Sequence, residues 1–232
     1  MKDSQIKKLN SISDKLMPVV ALILCLFSAF FIAVAPSEAI MGDVQKILYM
    51  HVGSAMACYL MLAVTFIASV LFLVFKHAKF AMLLDAASSI SFLFCGIVLI
   101  TGMIWGHSSW NTWWRWEPRL TSVLILWILL FSLRYVSKVN FQSEEKGVFM
   151  SILGILSAIQ VPIVMFSIKL LDRTEQLHPE VVAKQGLRDS GYVYAMISSN
   201  IAMIIVALVL LRLSYRVLQL DDARLKIKRK LF

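Results

Sequence analysis

Charged residues along the chain come in short groups separated by long apolar intervals. There are 22 uncharged residues between Lys15 and Glu38, 29 between Lys46 and Lys76, and 29 between Asp85 and Arg115. Arg119 to Arg134 encloses 14, and Lys146 to Lys169 and Asp189 to Arg212 enclose 22 each. A bilayer-spanning helix needs about 20 predominantly apolar residues, because hydrocarbon offers the backbone no hydrogen-bonding partner except itself. The intervals predict six transmembrane helices, near 17–36, 47–75, 86–106, 118–136, 147–168 and 190–211. The fourth is short between its charges, but its arginines can snorkel and Pro118 suits the first turn of a helix. Ala33-Val34-Ala35 has the look of a signal-peptidase site. The apolar stretch before it is longer than a signal core, and Pro36 follows directly, so the first span is expected to remain uncleaved.

Composition agrees with this pattern. Hydrophobic residues make up 59% of the 232, charged residues 16%, and mean hydropathy is +0.79; a soluble domain is about a quarter charged. Cys25, Cys58 and Cys95 fall inside the expected spans without paired spacing and read as small apolar side chains. Neither a repeat nor a low-complexity linker is evident, so residues 1–232 are expected to form one all-α, six-span membrane domain.

Lysine and arginine are unevenly divided between the two sets of connections. The N-terminal segment, the second and fourth connections and the C-terminal tail 212–232 hold 16 of the 23, and the alternate connections hold 7. By the positive-inside rule both termini are cytoplasmic, and the basic tail should meet anionic lipid. A nucleic-acid partner is not expected. His51, His107 and His178 then lie on the outer side, and only His77 on the inner.

The same outer side receives an unusual cluster. Trp105, Trp110, Trp113, Trp114 and Trp116 fall within twelve residues. An interfacial aromatic belt is the simpler reading, but a belt spreads its rings over many helix ends. Five in one segment, 105–117, form an apolar shelf that a flat hydrophobic ligand would cover. Neutral imidazoles are good axial ligands for haem iron. His51 alone reads as a polar helix-end residue and His178 alone as a solvated loop residue; flanking a tryptophan shelf together, ligation and these ordinary roles stand about level. Arg115, Arg119, Lys169 and Arg173 are span-flanking cations or partners for carboxylates such as haem propionates.

The run Trp105-Gly106, Thr112-Trp113-Trp114, Trp116-Glu117 and Arg119-Leu-Thr-Ser122 closely resembles the tryptophan-rich signature of the CcmC family, the haem-handling membrane proteins of system I cytochrome c maturation. The resemblance extends to Leu48-Tyr-Met-His51-Val, Val161-Pro-Ile-Val164, Phe166-Ser167 and Leu177-His178-Pro179. It implies b-type haem, held non-covalently in transit on the outer face of a bacterial inner membrane. His51 and His178 would be the axial ligands, and Trp105, Trp110, Trp113, Trp114, Trp116, Glu117 and Arg119 would line the site. The implied recipient is the haem chaperone CcmE, with CcmD and an ABC-type CcmA–CcmB pair as associates. Two positions depart from the family pattern: Glu117 stands where the signature usually has aspartate, and Leu170-Leu171 where a tryptophan pair often precedes the second histidine.

Other classes fit less well. A haem-b respiratory subunit buries its histidines within the spans, whereas His51 and His77 mark opposite ends of the second. A haem transporter would need ionisable residues or broken helices at mid-membrane, and these spans offer only Pro162, Gln160 and Asn200. No activated nucleophile or acid/base dyad is apparent, so binding and transfer are expected rather than catalysis.

Overall fold

The computed structural model describes residues 12–38, 41–139, 143–167 and 189–231. Its helices are α1 (Ile12–Val34), α2 (Lys46–Phe75, led in by a 3-10 turn at Asp43–Gln45), α3 (Ala78–Trp110), α4 (Pro118–Lys138), α5 (Ser143–Phe166) and α6 (Ser190–Leu231). All six contain a stretch long and apolar enough to cross a membrane, as the charge-to-charge intervals predict. No strand occurs among the described residues. The helices alternate in direction, so each has one end near the tryptophan segment (the tryptophan end) and one at the opposite face.

Several helices outrun their expected bounds. α3 begins at Ala78 rather than near 86 and continues to Trp110, which places Trp105, His107 and Trp110 on helix instead of in a loop. α6 runs unbroken through the basic segment to Leu231. His77 is not the last residue of α2: Lys76 adopts a left-handed conformation (φ 53°) that closes α2, its N–H donating to the Phe72 carbonyl at 2.8 Å, and His77 caps α3. Cations pull helix ends into the polar interface, and charge spacing marks that interface better than it marks the last helical turn.

α2 is the hub, packing on α3, α5 and α6; α4 lies between α3 and α5, while α1 rests chiefly on α6. Met61, Leu62, Phe94, Leu126 and Leu130 fill the centre of the bundle. Lipid tails are as apolar as the side chains, so close helix approach has to come from small residues. At Gly53 a Cβ would stand 3.0 Å from the Ser199 carbonyl of α6, and the Ser199 hydroxyl donates to the Tyr49 carbonyl at 2.8 Å. Gly147 and Gly154 of α5 accept Phe72 and Ser69 of α2 in the same manner. Other buried hydroxyls turn back on their own helix: Thr65 donates to the Met61 carbonyl at 2.8 Å and Ser69 to that of Thr65 at 2.7 Å, which removes the cost of an unpaired polar group in hydrocarbon. Near the opposite face Arg134 of α4 pairs with Asp85 of α3, both side chains only about one-fifth exposed.

Candidate functional site

At the tryptophan end the α3–α4 connection turns back over the bundle. Asn111, left-handed at φ 52°, closes α3 with its N–H on the His107 carbonyl at 2.9 Å; asparagine tolerates this conformation better than most residues. The returning chain lays the Thr112 carbonyl on Gly106, where a Cβ would come within 3.3 Å of it. The Trp-Gly pair of the signature therefore has a geometric reason. Thr112 donates to the Trp114 carbonyl at 3.2 Å, and α4 starts with Pro118 in its first turn, where the missing N–H costs nothing.

Beneath this connection lies a cleft of about 220 Å³ between α2, α3 and α4, with Val164 of α5 also on its wall. Of the residues expected to form a site, it brings together His51, Trp105, Trp110, Trp113, Trp114, Glu117 and Arg119. Arg115, singled out for its charge, joins them. Trp116 is not on the wall: it is 76% exposed and meets Trp114 edge-on, ring centres 5.6 Å apart. His178 and nearly all of the second loop 169–189 lie outside the described residues, as do Lys169, Leu170, Leu171 and Arg173.

The rings differ in role. Trp105 is buried and packs against Trp110 at 5.3 Å, edge to face, so it is a foundation as well as a wall. Trp113 is half exposed and stacks on His107 at 4.1 Å, nearly parallel. His107 thus supports a tryptophan from the last turn of α3. The Trp114 indole N–H is buried and has no acceptor among the described residues. An indole N–H left so is costly and offers itself to a ligand oxygen. Glu117 is 8% exposed. Arg119 lies within electrostatic reach of Glu117, of Tyr59 and of His51.

His51 occupies the second turn of α2 and faces α3. Its Nδ1 lies 3.0 Å from Thr101 Oγ1, and a Cβ on Gly102 would meet its Cε1 at 3.3 Å. Thr101, Gly102 and Tyr59 are site residues that sequence reasoning did not find. Tyr59 lies two turns and more below His51, about 12 Å along the helix, and only helix rotation brings it to the cleft. Taken together the cleft offers an imidazole, a tryptophan wall, a buried indole N–H and two arginines, a set suited to a flat, largely apolar ligand that carries carboxylates.

Residues 2–228 match the model of the family described as CcmC, heme exporter protein C. A ccmC-like mitochondrial protein of cytochrome c biosynthesis from Marchantia polymorpha is 39% identical over 135 residues, 58% of this chain and 57% of that protein. Heme exporter protein C of Bradyrhizobium diazoefficiens is 33% identical over 155 residues, 66% and 58% of the two chains. That of Escherichia coli K12 is 29% identical over 135, or 58% and 55%. The chain thus spans between 55% and 58% of the length of these relatives.

Proposed function

The chain belongs to the CcmC (heme exporter protein C) family, and from that premise we propose that it holds haem at the tryptophan end of its bundle and passes it to the chaperone CcmE for cytochrome c biogenesis. The observation that carries this reading is the convergence of His51, four tryptophans and Arg119 on one cleft. His51 supplies one axial ligand to the iron and His178 the other. Trp113 and Trp114 cover the macrocycle, and the propionates meet Arg119 and the Trp114 N–H, both donors suited to carboxylate. The haem is b-type and non-covalently held, as a cargo has to be. The cleft faces the periplasmic side of the inner membrane, a reading supported by the excess of basic residues at the opposite face. CcmD and the CcmA–CcmB pair are the proposed membrane partners.

Haem titration of the purified protein, followed by absorption, tests this assignment. His51→Ala and His178→Ala should each weaken binding and disturb the low-spin spectrum, whereas His77→Ala, which alters the far end of the bundle, should not. A His77 variant as deficient as the other two would refute the ligand assignment.

A further inference from the structure

An imidazole can ligate iron through Nε2 only if that nitrogen is unprotonated, and in a neutral ring this requires the proton to sit on Nδ1. The hydrogen-bond chain beside His51 decides the matter. Thr101 Oγ1 lies 2.7 Å from the Ile97 carbonyl and 3.3 Å from that of Val98, one turn back on α3. Both carbonyls can only accept, so the single threonine proton is committed to the backbone. Towards His51 Nδ1, 3.0 Å away, the hydroxyl oxygen therefore presents lone pairs, and the ring is the donor; the Val98 carbonyl is a second acceptor for the same ring. The chain reads His51 Nδ1–H to Thr101 O–H to the Ile97 carbonyl, each donor strengthening the next.

Packing fixes the ring as well as the proton. Gly102 follows Thr101, and the His51 Cε1 edge lies so close that a Cβ there would approach to 3.3 Å. The ring is thereby held against α3, with Nδ1 turned to Thr101 and Cε1 to Gly102, and both His51 and Gly102 line the cleft.

We propose that Thr101 is a positioning residue of the site: its hydroxyl, acting beside the Val98 carbonyl, favours the Nδ1-protonated tautomer and holds the orientation of His51, so that Nε2 is presented to haem iron. The proposal rests on the ligand role assigned to His51 above. It also has a consequence for transfer. A carboxylate at this position would draw imidazolate character into the ring and strengthen the iron bond; a neutral hydroxyl, its own proton spent on the backbone, orients the ligand without doing so. The result is a ligand correctly aimed but able to let go, as a cargo site requires.

The experiment compares wild type with Thr101→Val, Thr101→Ser and His51→Ala, all as the full chain in detergent. Haemin titration should show Thr101→Val binding about 10–100-fold more weakly, the usual range for loss of a partner behind a ligating histidine. Whatever haem it retains should have a shifted ferric low-spin signature and a raised midpoint potential. Thr101→Ser, which keeps the hydroxyl, should restore all three. In histidine 15N spectra of the haem-free protein, His51 should be predominantly Nδ1-protonated in wild type and Thr101→Ser but a mixture of tautomers in Thr101→Val. This readout needs no bound haem and also reports whether the valine variant is folded. A Thr101→Val protein with wild-type affinity and spectrum, beside a His51→Ala protein that has lost both, overturns the positioning role and leaves the ligand in place. Equal loss in the serine and valine variants would show that bulk and not the hydroxyl matters, and overturns it too. His51→Ala binding like wild type would remove the ligand and this inference with it.

Discussion

Five tryptophans crowd one segment, yet burial separates them into different tasks. Trp105 is 4% exposed and supports Trp110; truncating it should destabilise the bundle itself, by about 3–5 kcal/mol on the scale of other buried aromatic truncations. Trp114 lines the cleft while Trp116 projects from it. A fully covered aromatic contributes about 1.5–3 kcal/mol, so Trp114→Ala should weaken haem retention roughly tenfold or more, and Trp116→Ala much less. Equal losses in the two variants, measured by haem titration, would mean that Trp116 folds onto the ligand. Glu117 is a buried carboxylate in the field of Arg119, better placed to hold the connection and the arginine than to touch iron. Glu117→Gln is expected to keep haem on this protein but to lower its appearance on co-expressed CcmE, whereas Trp114→Ala loses haem here first. Haem staining of both proteins checks this, and the reverse pattern would exchange the two roles.

Between helices, contacts depend on small residues and on a partly buried ion pair. Asp85 and Arg134 tie α3 to α4 near the face opposite the cleft, with Arg134 also donating to the Asp85 carbonyl at 3.2 Å. Exposed pairs contribute about 1 kcal/mol or less, and breaking a fully buried one costs about 3–5. At one-fifth exposure Arg134→Met should cost about 1–3 kcal/mol, because it strands the carboxylate. Joint replacement, Asp85→Leu with Arg134→Met, should recover much of that loss. Thermal unfolding in detergent measures both, and a double variant no better than the single would show that the pair does more than cancel its own charge. The haem spectrum should survive either change, since the pair is at the far end of the bundle. By contrast, the exposed pair of Lys76 and Glu144, 3.9 Å apart, should be dispensable.

For the whole molecule the decisive question is sidedness. Six antiparallel helices put the cleft at one face and the ends of α3 and α6 that carry basic residues at the other. By the positive-inside rule, the excess of lysine and arginine at the second face supports the proposal that it is the cytoplasmic one. Reporter fusions after Asn111 and after Glu180 should accordingly report the periplasm, and fusions after Ala78, Ser143 and Phe232 the cytoplasm. A periplasmic C-terminus would invert the arrangement and put the cleft on the side away from cytochrome c assembly.

Span number was readable from the chain because the requirement behind it is local: a run of apolar residues in hydrocarbon must satisfy its backbone within itself, whatever its neighbours do. The tryptophan segment and His51 were readable for a related reason, since their residue types and order already define the signature. Contacts were not readable in this way. Spans that are apolar all round carry little sign of which face turns inward, so nothing in the sequence pointed Tyr59 into the cleft or set Thr101 behind His51. Nor could it separate Trp105 from Trp116, which share one motif yet are 4% and 76% exposed. The continuation of α3 to Trp110 was hidden because polar and aromatic residues there read equally well as loop. Only when Gly106 received the returning Thr112 carbonyl, and Gly102 the His51 ring, did helix packing turn a recognisable motif into a site with a shape.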